Sequence, residues 1–379
     1  MGRTQIIAVA GLLFMTTLAQ AVDITVNQVS RLIQISEKGV TDRRDWARDL
    51  LEVLRVHDFD VSRENVCAVI AVIDQESSFR ADPAVPGLGK VSESALRDKF
   101  GKIPVAGAVA MRLIETSPTP DDSYLLRIRN ARTERDLDLV FRSFVEDASK
   151  RSNLSLLVNS GLLNAAIDRR NEIDTAGSMQ VSVAFALAEA KSRRWLPMQL
   201  VDVYAVRDDL YTRRGGMYYG ALQLLGYDSG YSKKIFRFAD YNAGRYASRN
   251  AALQKIVAEL SGTNLQLDGD LLVYENGAAR VKPSSSELAV RAVAKRHGLG
   301  LDDQRIRLDL LEEKSAKLAE NRTYRRLREL YRKLKATEPP LAIIPEIELN
   351  SPKIKRRMTT AIFATQVDKK YQACMKAGF

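Results

Sequence analysis

Glu76 has the setting of a chemically useful acid. It closes the stretch S-R-E-N-V-C-A-V-I-A-V-I-D-Q-E-S-S-F, from Ser62 to Phe79. Ser62 can cap a helix, and Val66, Val69, Ile70, Val72 and Ile73 make the next turns apolar over most of their circumference, the pattern of a buried helix. At about 100° per residue Glu76 falls in angle between Val69 and Val72, inside the apolar arc. Desolvation disfavours a carboxylate there, so the group can stay protonated near neutral pH and donate the proton that glycosidic bond cleavage requires. The competing reading is a frayed helix end wetted by solvent, and an isolated helix favours it; only motifs elsewhere in the chain can overturn it.

Two further stretches gather amide and aromatic side chains at element ends, as a sugar-binding cleft needs. N-E-I-D-T-A-G-S-M-Q, beginning at Asn171, brings Gly177, Met179 and Gln180 onto a Gly-bearing turn just before an Ala-rich helix. D-Y-N-A-G, Asp240 to Gly244, places Tyr241 and Asn242 after a helix over Lys233 to Ala239. Taken singly, Tyr241 reads equally as a core aromatic and Gln180 as a polar helix cap. Cys67 and Cys374 are the two cysteines, and His57 and His297 the two histidines. No C-x-x-C, H-E-x-x-H or EF-hand spacing occurs, so neither a metal nor another cofactor is expected. The cysteines either bridge, tying the C-terminus to the central helix, or stand as separate buried thiols; sequence alone leaves both open. His297, before Gly298, has the place of a favourable charge at a helix C-terminus.

The elements that must position these residues are mostly helical. Asp42 to His57 puts Trp46, Leu50, Leu51, Val53 and Leu54 on one face and feeds the central helix through a short link. After Phe79, R-A-D-P-A-V-P-G-L-G-K excludes regular structure. Ser92 to Thr116 and Asp122 to Ser152 read as helices broken around S-P-T-P-D, with a third from Leu154 to Arg169, and no motif marks this region. Beyond a helix over Ala251 to Ser261 the period changes to two. Asp268-Gly269 and Asn276-Gly277 are hairpin turn signals there, predicting a two- or three-stranded meander. Helices follow to Thr337, with the charge-rich run Asp302 to Lys335 read as an antiparallel pair, and a last helix runs from Lys353.

The N-terminus carries one Arg, an apolar run from Ile6 to Leu18, and Ala19-Gln20-Ala21. That is the pattern of a secretory signal over residues 1–21, too short for a membrane span, with no cysteine at the cleavage site for a lipid anchor. A periplasmic or secreted chain is expected, with no transmembrane span. The formal net charge is +11. Such a balance favours polyanions, and cell-wall peptidoglycan suits it as well as nucleic acid or anionic lipid, although acids alternate with the basic residues along most of the chain.

In order and placement, E-S-S-F at Glu76, A-G-S-M-Q ending at Gln180 and D-Y-N-A-G around Asn242 resemble the motifs of the lysozyme-like soluble lytic transglycosylases. G-G-M-Y-Y-G-A-L-Q-L-L-G from Gly215 is similar to that family's intervening helix. The resemblance implies Glu76 as catalytic acid and then base, with Ser77 holding its carboxylate or the substrate. It also implies Gly177, Met179 and Gln180 as a cleft wall, Tyr241 with its hydroxyl near Glu76, and Asn242 on an N-acetyl group or peptide carbonyl. It departs from the family pattern in two ways: Ser178 stands where the family has Leu, and the first two motifs lie much farther apart. The implied architecture is a mainly α, lysozyme-like (goose-type) catalytic domain over residues 22–262, interrupted by a helical insertion over 92–169. A β-hairpin and a C-terminal helical layer over 263–379 would follow. The implied activity is cleavage of peptidoglycan glycan strands between N-acetylmuramic acid and N-acetylglucosamine with a 1,6-anhydro product; nucleic acid is not an expected partner. A hydrolytic muramidase would need a second carboxylate, for which Asp174 is the candidate. A non-catalytic peptidoglycan-binding or envelope scaffold is the alternative from another class.

Overall fold

A computed structural model of the chain describes residues 24–151, 171, 173–275, 277–348 and 358–378. The proposed signal segment and the helix expected over 154–169 lie outside these residues. The described chain is mainly α. Helices α1 (Val26–Ser36), α2 (Arg43–Val56) and α3 (Arg63–Ser77) open it. Helix α1, not anticipated from sequence, starts at a capping box between Thr25 and Gln28 and buries Val29, Leu32 and Ile33. Ser62 caps α3 through the Asn65 N–H, and every residue from Val66 to Asp74 is buried. That helix runs through the largest apolar cluster, so its all-round hydrophobicity has the expected cause.

A lobe follows: α4 (Leu88–Gly101), α5 (Ala106–Thr116), α6 (Tyr124–Asn130) and α7 (Glu134–Arg151). It has a small core of its own around Ile114, Tyr124 and Leu125. Each of its two long predicted helices is divided. The first breaks at Pro104 and at Val105, whose φ is +59°. The second breaks before Thr133, whose hydroxyl accepts from the Asp136 N–H while the Asp136 carboxylate accepts from the Thr133 N–H, a reciprocal cap that starts α7.

The short strands β1 (Thr175–Ala176) and β2 (Val181–Ser182) pair antiparallel, Thr175 opposite Ser182, around the turn that holds Gly177 to Gln180. Helices α8 (Val183–Ser192), α9 (Leu200–Leu210), α10 (Arg213–Leu225), α11 (Lys234–Ala243) and α12 (Ala247–Ser261) continue the main body. The period-two region forms one hairpin, β3 (Tyr274–Glu275) with β4 (Ala278–Ala279), turning at Gly277. Asp268-Gly269 is a turn without flanking strands. Gln254 of α12 takes its backbone instead, accepting from the Gly269 N–H at 2.9 Å and donating to the Asp268 carboxylate at 2.8 Å.

Helices α13 (Ser285–Arg296), α14 (Asp303–Leu310), α15 (Lys317–Glu320) and α16 (Arg322–Lys335) close a second core on the C-terminal half of α12, among them Leu253, Ile256, Val290, Ile306 and Leu327. The last helix, α17 (Thr360–Lys376), does not join that layer. It returns to the main body and packs between α3 and α11, burying Phe363, Val367 and Tyr371. Cys374 is disulfide-bonded to Cys67 of α3, with Cα atoms 5.6 Å apart, which resolves the two readings of the cysteines. The division expected at residue 263 therefore separates α17 from the core it completes. Spacing shows that a helix has an apolar face, not which groove receives it.

Candidate active site

Glu76 sits in the last turn of α3, and the chain reverses directly after it. Ser78 and Phe79 both take positive φ, +49° and +60°, a costly conformation for residues with a Cβ. The reversal buries Phe79 edge-on against Trp46, ring centroids 5.4 Å apart, and holds the helix end firm. The helix end is thereby packed rather than open to solvent on all sides. Among the described residues the Glu76 carboxyl has no hydrogen-bond partner. Burial, and then the charge of Glu134, push its pKa up to about 8.

Ser77 does not hold that carboxyl. Its hydroxyl donates to the Ile73 carbonyl at 3.1 Å and accepts from the Arg80 N–H, securing the turn instead. Asp74 lies on another side of α3, accepting from Ser36 at 2.5 Å and pairing with Lys370 of α17 at 2.9 Å. Its work is to bind helices together.

The turn beside the acid is set by sterics. Gly177 has φ +79°, and a Cβ there would stand 2.0 Å from the Leu210 carbonyl oxygen. Met179 is fully buried against Gly220 of α10, where an added Cβ would come within 2.3 Å of its sulfur. The spaced glycines of α10 thus let the turn lie flat on that helix. The Tyr241 hydroxyl donates to the Met179 carbonyl at 2.8 Å, and its pKa rises through burial and then through the Glu76 charge. The second and third motifs therefore meet beside the first. Asn242 is half-buried in the last turn of α11, its Oδ1 accepting from the Thr360 hydroxyl at 2.8 Å. Asp240 is consumed by structure: its carboxylate accepts from the N–H groups of Tyr246 and Ser248 and the hydroxyls of Tyr227 and Tyr231.

Gln180 (φ +49°) does not point to an open cleft alone. Its Oε1 accepts from the Thr175 hydroxyl at 2.9 Å, and its Nε2 donates to the Glu134 carboxylate at 3.1 Å. Asp174 is exposed at the foot of β1, and the charge that acts on Glu76 belongs to Glu134. The second carboxylate of the site is therefore Glu134, from the region that carried no recognisable motif. Its trace in the sequence is T-E-R-D, a helix-start signature that puts Glu134 at the first position of α7.

The lobe is fixed to the main body by buried charges one turn further on. Asp138, fully buried, pairs with Arg142 and with Arg207 of α9 and accepts from the Asn171 side chain at 2.5 Å. Arg207 also donates to the Ile173 carbonyl at 3.2 Å. The loop after Phe79 joins this seam, with the Val85 N–H donating to the Arg132 carbonyl at 2.9 Å and Ala84 bridged to Thr133. Two more polar groups stand at this seam, Asp82 from the loop and Tyr211 from the end of α9. Asp82 has a raised pKa, through burial first, and its Oδ1 is buried with no hydrogen-bond partner among the described residues. The buried hydroxyl of Tyr211 is likewise unpartnered, and its pKa is raised by burial and by the charges of Asp138, Glu134 and Asp82. Unsatisfied buried polar atoms are uncommon, and here they suit a ligand or water. No three His, Cys, Asp or Glu side chains converge as metal ligands among the described residues.

Fold and site together define a mainly α protein with a half-buried acid between a hairpin turn and a docked helical lobe. The chain belongs to the family described as "Protein of unknown function (DUF1615)", whose model matches residues 39–377. It is 36% identical over 338 residues to "Uncharacterized protein YaiW" of Escherichia coli (strain K12), covering 89% of this chain and 86% of the relative. No solved structure matches the chain.

Proposed function

We propose that this protein is a lytic transglycosylase with a lysozyme-like catalytic domain, cleaving the glycan strands of peptidoglycan with Glu76 as its acid. One observation carries the reading: a carboxyl on a well-packed helix end, its pKa pushed up to about 8 chiefly by burial, flanked by the Gly177–Gln180 turn and Tyr241. Glu76 donates its proton to the glycosidic oxygen. As a carboxylate it then accepts the proton of the 6-hydroxyl of the muramic acid, whose oxygen closes the 1,6-anhydro ring as the nucleophile. Gln180 and Asn242 supply amide contacts to acetamido or peptide groups. Glu134 favours a second reading, hydrolysis, in which a second carboxylate activates water.

Glu76→Gln tests both. The amide keeps the shape but has no acidic proton to transfer, so activity on purified sacculi is expected to be lost with the fold intact. Mass analysis of the wild-type digest separates anhydro ends from reducing ends, which are one water heavier; reducing ends alone would replace the lyase with the hydrolase. The same variant checks the acid without turnover. Between the ordinary carboxyl pKa and about 8 the folded state binds more protons at Glu76 than the unfolded state, so wild-type stability falls as pH rises through that window. Tm of Glu76→Gln relative to wild type should therefore climb from pH 5 to pH 8. A flat difference would mean that the Glu76 pKa is not raised in the folded protein.

A further inference from the structure

The end of α8 and the loop to α9, K-S-R-R-W-L-P at Lys191 to Pro197, present the most exposed large apolar side chains of the main body. Trp195 is 101% exposed, Leu196 74%, and Val201, on the first turn of α9, 70%. A fully exposed Trp beside a largely exposed Leu is costly in water; the other exposed apolar cluster, Val105, Val109 and Leu113 along α5 of the lobe, has no aromatic member. The base of the loop is nevertheless well held. The Arg193 guanidinium bonds the Tyr218 hydroxyl and lies over its ring, 5.5 Å from the centroid. Arg194 pairs with Asp202 at 3.1 Å, and the Gln199 N–H donates to that same carboxylate at 2.8 Å. A braced loop thus carries an apolar tip.

We infer that Trp195 and Leu196 form an interfacial anchor that inserts among the headgroups of an anionic lipid membrane. Trp is suited to that depth, its ring in the acyl boundary and its N–H in the wet layer, and Leu adds apolar depth. Lys191, Arg193 and Arg194 border the tip and are opposed locally by Glu189 and Asp202, leaving a positive excess. The chain as a whole carries +11, so a negatively charged leaflet draws it in before the loop inserts. A sugar platform fits the loop less well: stacking on a pyranose needs an aromatic face backed by protein and polar partners at its rim, whereas Trp195 is open on all sides, is followed by Leu196 and Pro197, and its neighbour Arg194 is engaged by Asp202. The inference is independent of Glu76 and of the glycan-cleaving reading.

Fluorescence tests it directly, because the chain has two tryptophans and the other, Trp46, is buried. Titration of the purified protein with vesicles of phosphatidylethanolamine and phosphatidylglycerol should shift the Trp195 emission to the blue. Bromine-labelled acyl chains should quench it, and phosphatidylcholine vesicles should bind much more weakly. Trp195→Ala with Leu196→Ala, at unchanged Tm, should weaken vesicle partitioning about ten-fold or more. Absence of a shift with anionic vesicles, or unchanged partitioning of the double variant, would overturn the anchor. A shift with soluble glycan fragments and none with vesicles would overturn it in favour of a sugar platform.

Discussion

The two sides of the Glu76 site are built by different means. On one side the hairpin turn is held by local backbone rules: a glycine with positive φ, a buried methionine on a glycine-lined helix, and a tyrosine hydroxyl on a turn carbonyl. On the other side the lobe arrives from a distant part of the chain and is held by buried charge, Asp138 to Arg207 and Asn171. Gln180 joins the two sides through its bond to Glu134. A side fixed by sterics tolerates changes of charge. A side fixed by ion pairs does not, because a buried charge left without its partner is expensive.

The sharpest way to break this comparison is at Asp138. Asp138→Ala removes the buried carboxylate shared by Arg142, Arg207 and Asn171 and should cost about 3 to 5 kcal/mol, seen as a fall in Tm and early proteolysis within the lobe. Stability within about 1 kcal/mol of wild type would show that the small lobe core and the loop seam suffice for docking.

Glu134→Gln probes the electrostatic contribution with little change of shape. Removing that charge lowers the Glu76 pKa, so the alkaline limb of the pH–rate profile, where the acid loses its proton, should move to lower pH. Burial, the larger cause, remains and limits the shift. If activity instead disappears at every pH, Glu134 takes part in the chemistry and the hydrolytic reading gains.

The smallest effect is expected at Gln180. Gln180→Ala removes bonds to Thr175 and Glu134 while the turn stays pinned, so kcat/KM should fall by about the worth of one hydrogen bond, roughly 1 to 2 kcal/mol. A loss as large as that of Glu76→Gln would mean that the link between the two sides, and not the acid alone, sets the rate.

Much of the site follows from local sequence because local rules build it. The apolar circumference of α3 determined a buried helix, and the place of Glu76 in that arc determined a desolvated acid. Gly177 determined a turn, and Asn276-Gly277 a hairpin. Tyr241 and Asn242 were expected beyond the end of their helix and lie in its last turn, a shift of boundary that leaves their place at an element end unchanged. What the sequence did not carry is pairing across distance. Nothing in T-E-R-D says that Glu134 will stand where its charge reaches Glu76, because that depends on Asp138, Arg207 and Asn171 meeting from three separate segments. Asp174, close to the turn in sequence, lies exposed just before β1, while its neighbour Ile173 takes the buried place, a choice the packing of the folded chain makes. Likewise α17 advertises an apolar face, but only its fit between α3 and α11, closed by the bridge from Cys374 to Cys67, decides which core it completes. Local propensity and periodicity act within a few turns of chain; the identity of the second carboxylate, the docking of the lobe and the partner of the last helix are properties of surfaces that exist only once the chain has folded.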